Sequence, residues 1–111
     1  MNMTQLFNTD IFHELKCDII LTEEEREILN KIHFKYLDNK MTETRFALSY
    51  QDMKYLKTMY DKSIQENTKR LMKDQSNRRL IKRLAKYRHN YRKLVGLISQ
   101  LETMRTMLGM D

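Results

Sequence analysis

His13 and Cys17 stand four residues apart in His13-Glu14-Leu15-Lys16-Cys17, a spacing that puts two metal-ligand types on adjacent turns of one helical face. Zinc needs three protein ligands for catalysis and four for a structural site. Only His33 offers a third ligand and no fourth stands out, so polar and core roles are expected for these residues, with no metal ion and no cofactor. Paired carboxylates occur from Glu23 to Glu27, but they open a helix, where the positive end of the dipole already accounts for them. There is no glycine-rich phosphate loop and no Gly-x-Ser-x-Gly, and the one cysteine lacks a His/Asp set to equip it as a nucleophile. No catalytic residue is assigned, and the expectation is a protein that is not an enzyme.

The chemistry that remains is electrostatic. Lys69, Arg70, Lys73, Arg78, Arg79, Lys82, Arg83, Lys86, Arg88, Arg92 and Lys93 face a single acid, Asp74, so residues 69–93 carry a net charge of +10. Residues 1–40 carry −3, residues 41–68 are balanced and residues 94–111 carry −1, against +6 for the whole chain. A block of one sign repels itself unless an anionic partner or an acidic surface offsets it. Nucleic acid, DNA or RNA, is the commonest large polyanion that suits such a surface. From Arg78 to Lys93 arginine outnumbers lysine five to three, and its planar fork matches phosphate oxygens.

Tyr87 and Tyr91 fall on an apolar seam, so they read as core and not as base-stacking platforms. Binding should therefore follow the phosphate backbone with weak sequence selectivity. Three other readings compete. The charge can be offset by the acidic stretch Glu23–Glu27 of the same or a sister chain, as a solvated face. Alternatively the chain is an adaptor or inhibitor that docks a helical surface, including Met104, Met107 and Met110, on a protein partner. An anionic membrane surface ranks last, because the seam already claims the apolar stripe. His89, inside the basic run, reads as solvated.

These residues need helices to position them. The chain of 111 residues has no proline and only two glycines, Gly96 and Gly109, which leaves an all-α fold in one domain as the default. Its expected parts are an acidic helical region over 1–40 and a helical hairpin over 44–108. With one cysteine there is no intrachain disulfide. The N-terminus lacks the pattern of a secretory signal, and no apolar run approaches the ~20 residues of a membrane span. A cytoplasmic or nuclear location is the simplest reading.

In the N-terminal region Asp10 can cap a short helix carrying Ile11, Phe12 and Leu15; Cys17–Leu21 can be extended, but the first twenty residues are read as helix. Thr22 followed by Glu25 is a capping box, and Ile28, Leu29, Ile32, Tyr36 and Leu37 recur at helical spacing up to a stop near Asp38-Asn39. A second helix should start between Thr44 and Ser49 and run to Asp74, with a stripe of Ser49, Met53, Leu56, Tyr60, Ser63 or Ile64, Asn67 and Leu71. A third should run from Asn77 to Leu108 on a heptad seam of Leu80, Leu84, Tyr87, Tyr91, Leu94, Ile98, Leu101 and Leu108, with Arg105 the exception.

One continuous rod would put the two stripes roughly 180° apart, where a single partner helix cannot cover both. A turn at Asp74-Gln75-Ser76-Asn77 lets them face each other as a long, coiled-coil-like antiparallel hairpin, with Ser63 against Tyr87 and Tyr60 against Tyr91. Such a hairpin cannot bury both stripes alone, so the N-terminal helices and a second copy of the chain should cover the rest, as a homodimer or larger homo-oligomer.

Overall fold

The computed structural model describes residues 10–41 and 48–109, and every regular element among them is a helix. In chain order these are α1 (Asp10–Lys16), α2 (Glu23–Met41), α3 (Tyr50–Lys73) and α4 (Arg78–Met107). The described residues extend over 47 × 27 × 26 Å. The long dimension is that of α4, whose 30 residues at 1.5 Å each span about 45 Å.

α3 and α4 fold back on each other, and the chain reverses where turn-forming residues stand without glycine or proline. The Asp74 amide donates to the carbonyls of Arg70 (3.2 Å) and Leu71 (3.1 Å), which closes α3. Asn77 then caps α4, its side-chain oxygen accepting from the Leu80 amide at 3.1 Å. At the other end of α3, Ser49 caps by accepting from the Asp52 amide at 3.1 Å; residues 42–47, where an earlier start was expected, lie outside the described residues.

The seam buries Met53, Leu56, Tyr60, Ser63 and Asn67 of α3 against Leu80, Leu84, Tyr87, Leu94 and Ile98 of α4, while Tyr91 and Leu101 are half-buried. Tyr60 makes its ring contact with Tyr87, edge to face at 5.3 Å, one turn nearer the bend than the expected Tyr91 layer. Arg105, the polar exception in the seam, lies 4.7 Å over the Tyr50 ring. Leu108 does not join the core: α4 outlasts α3, and Leu108 is 70% exposed beyond the end of its partner. Gly109, at φ 70°, follows in the left-handed conformation that ends the helix, its amide donating to the Thr106 carbonyl.

α2 begins with the expected capping box: the Glu25 amide donates to Thr22 Oγ1 (3.1 Å) and the Thr22 amide to Glu25 Oε1 (2.9 Å). It runs to Met41, past the expected stop, because no residue at Asp38-Asn39 breaks it. Leu29, Ile32 and Tyr36 form its core face, whereas Leu37 turns toward solvent. The segment Cys17–Leu21 is a tight turn, neither the expected helix nor the extended alternative. Asp18 organises it, its carbonyl accepting from the Leu21 amide (3.3 Å) and its Oδ1 from the Ile20 amide (3.1 Å).

α1 and α2 together close the hairpin's open side, with Ile11, Phe12 and Leu15 of α1 completely buried. The seam is thus covered within one chain. Exposed apolar residues lie off the seam, as Phe34, Leu37 and Met41 on α2 and Met107 on α4, or past its covered end, as Leu108. No helix of the described residues is long and apolar enough to cross a membrane.

Candidate anion-binding face

The short helix α1 determines the shape of the basic face, and the hairpin holds it by polar contacts to its backbone. Two seam tyrosines reach out of the core to do so: Tyr60 donates to the Ile11 carbonyl (2.6 Å) and Tyr87 to the Glu14 carbonyl (3.0 Å). Asn90 donates in turn to the Tyr60 oxygen at 3.4 Å.

Beneath α1 lies the fully buried carboxylate of Asp18. Its Oδ2 accepts from Asn67 Nδ2 and from the Tyr87 hydroxyl, each at 2.9 Å, the one hydroxyl proton being shared with the Glu14 carbonyl. Its neighbour Arg26 donates to the Asp18 backbone carbonyl and not to the carboxylate. Among the described residues no lysine or arginine nitrogen lies within 4 Å of that carboxylate, so neutral donors alone solvate the charge. Burial, and then the Asp18 charge, push the Tyr87 phenol well above its ordinary range, which keeps it a donor. Tyr91 is raised too, by burial and by its bond to Asp61. Of the two polar seam positions, read from the sequence as interdigitation, Asn67 has this physical cause, as a ligand of Asp18 that also donates to the Ser63 carbonyl; the buried Ser63 hydroxyl has no partner among the described residues.

The expected cations are at the surface. Lys69, Arg70, Lys73, Arg78, Arg79, Lys82, Lys86, Arg88 and Arg92 are exposed, and Arg83 and Lys93 are half-buried. They do not form one strip. Helical geometry places Arg79, Lys82, Arg83, Lys86 and Lys93 within about 100° on one flank of α4, while Arg78, Arg88 and Arg92 lie about 140–180° around the axis from Arg83. On the first flank, Arg79, Lys82, Arg83 and Lys86 converge with His13, Glu14 and Cys17 of the α1 segment around a cleft of about 340 Å³.

Carboxylates offset few of these charges. Glu14 reaches Arg83 Nε and Lys86 Nζ, each at 3.5 Å, and Glu66 reaches Lys69 at 3.3 Å. Among the described residues Lys73, Arg78, Arg79, Lys82, Arg88 and Arg92 have no carboxylate within 4 Å. The acidic opening of α2 serves another purpose: Glu25 takes Lys62 of α3 at 2.7 Å. Burial pushes Glu25 up, but the bonds from Lys62 and Thr22 outweigh it and hold the carboxyl below its usual range.

His33 does not approach His13 and Cys17 as a third ligand. Its Nδ1 accepts from Lys16 Nζ and its ring stacks on Phe12 at 4.4 Å. Burial and then the Lys16 charge lower its pKa, so the neutral ring is favoured. Among the described residues no three His, Cys, Asp or Glu side chains are grouped to hold a metal ion.

Two residues of this region escape sequence reading. Asp18 left one trace, a carboxylate within the otherwise apolar run Cys17–Leu21, and Glu14 left none beyond its charge. No protein-family model matches the chain, and no curated protein and no solved structure is significantly similar to it.

Proposed function

We propose that this protein is a non-enzymatic binding protein that meets the phosphate backbone of a nucleic acid, DNA or RNA, with weak sequence selectivity. One observation carries the reading. Six exposed cations at and beyond the bend stand without a carboxylate within 4 Å among the described residues, while the buried Asp18 carboxylate is met by neutral donors. A fold that needed its cations for internal pairing would bring one to its most buried acid. Cations left in water repel one another, and a polyanion relieves that repulsion while releasing its own counterions. The basic part of α4, about 25 Å long over residues 77–93, is long enough to meet several phosphates.

Replacing Arg79, Arg83 and Lys86 together by glutamate should abolish binding to a mixed-sequence oligonucleotide while the helical circular-dichroism signal stays unchanged. Retained binding in the folded triple variant would overturn the assignment of this face.

A second reading has its own support. Met104, Met107 and Leu108 are exposed where α4 outlasts α3, an adaptable apolar end that suits an adaptor or inhibitor docking on a protein partner; Met110 lies outside the described residues. Homodimerisation belongs to the proposal as well, now resting on Phe34, Leu37 and Met41 of α2 instead of the seam. A cytoplasmic or nuclear location is part of the same reading.

A further inference from the structure

The α1-facing flank of α4 is recessed. α1 forms a wall beside it, and the resulting cleft of about 340 Å³ brings Arg79, Lys82, Arg83 and Lys86 together against one acid, Glu14. That volume is at the small end of ligand sites, room for one small group and not for a strand lying lengthwise. Glu14 already performs the part of an anion there, at 3.5 Å from both Arg83 and Lys86, while Arg79 and Lys82 have no carboxylate within 4 Å among the described residues.

The charge of an incoming group decides whether it can enter. A phosphodiester carries one negative charge, so in exchanging with the Glu14 carboxylate it gains nothing locally and loses a tethered contact. A phosphomonoester carries close to two charges at neutral pH and three strong acceptor oxygens. It can take Arg83 and Lys86 from Glu14 and still engage Arg79 and Lys82, with the guanidinium forks donating to its oxygens. The other exposed cations toward the bend, Arg78 and Lys73, then suit the diester backbone that follows.

We propose that the cleft between α1 and α4 is a phosphomonoester site and that, resting on the nucleic-acid reading above, its occupant is the terminal phosphate of a strand. Glu14 is its internal competitor, which favours a doubly charged terminal phosphate over an internal one at Arg83 and Lys86.

The test compares single strands of about 12 nucleotides, identical except for a 5′-phosphate, a 3′-phosphate or hydroxyls at both ends, by fluorescence anisotropy at near-physiological salt. Adenosine monophosphate alone is the fourth ligand. Cys17, exposed at the cleft, gives an independent readout, since an occupant should slow its alkylation by neutral iodoacetamide. One phosphorylated strand should bind about tenfold tighter than the hydroxyl strand, roughly the effect of one added charge-assisted contact. Arg79→Gln with Lys82→Gln, both at exposed positions, should erase that preference. Glu14→Gln should strengthen the hydroxyl strand more than the phosphorylated one and so narrow the ratio. Equal, salt-sensitive binding of all strands with no protection of Cys17 overturns this inference and leaves backbone binding standing. Protection by adenosine monophosphate without strand binding upholds the cleft and overturns the nucleic-acid reading. No binding by any ligand overturns both.

Discussion

Glu14 and Asp18 lie four residues apart, carry the same charge and serve opposite purposes. Asp18 is completely buried and its carboxylate is held by Asn67, Tyr87 and a backbone amide, with no lysine or arginine nitrogen within 4 Å of it among the described residues. Glu14 is at the surface, shared between Arg83 and Lys86 in a cleft with more cations than it can offset. The buried acid therefore joins the α1 segment to the hairpin, and the surface acid, on the proposed reading, competes with what the hairpin binds. A charge in the core must be fully hydrogen-bonded because nothing else solvates it, whereas a charge pair in water contributes little to stability and is free to exchange.

Asp18→Ala should break this contrast most severely. It removes the acceptor of two side-chain bonds and one backbone bond, and a loss of about 3 kcal/mol in urea unfolding is expected. Tyr87→Phe should cost less, about 1–2 kcal/mol, because Asn67 still reaches Asp18. It should also change the alkaline behaviour. The folded protein favours the neutral Tyr87 phenol, whereas an unfolded tyrosine ionises near pH 10, so stability present below that pH is lost above it. In the Phe variant that fall should be shallower.

How much of this was legible beforehand follows from the range of each interaction. The hairpin, its bend at 74–77 and the Thr22–Glu25 capping box were readable because seam periodicity and caps are local patterns. So were the exposed cations, since a charge block that avoids an apolar seam has only the surface left. Asp18 was not readable in its role: its partners Asn67 and Tyr87 are 49 and 69 residues away, and only α1's docking joins them. Glu14 stayed hidden for the same reason, since Arg83 becomes its neighbour through that docking. The exposure of Leu37 and Leu108 depends on which helix is longer and what covers it, which periodicity does not report. The division of the α4 cations between two flanks was available from helical angle and was obscured by counting charge along the chain.

Smaller effects sharpen the comparison. His33, stacked on Phe12 and bonded to Lys16, favours its neutral form in the fold, so stability should decline as pH falls below about 6.5, and His33→Gln should flatten that decline in a pH series of urea midpoints. Glu14→Gln should shift stability by no more than about 0.5 kcal/mol, in contrast to Asp18→Ala, because its ion pairs are long and partly solvated. Gly96→Ala, outside both regions, is the control. An added Cβ meets nothing within 4 Å, so a gain of about 0.5–1 kcal/mol without a change in affinity is expected.

The salt dependence of nucleic-acid affinity tests the central claim most directly. For a mixed-sequence strand, log K should fall linearly with log salt, with a slope of magnitude about 3–5 for four to six neutralised phosphates. A slope near zero, or no binding at the lowest salt, would contradict the assignment of the exposed cations to a phosphate backbone.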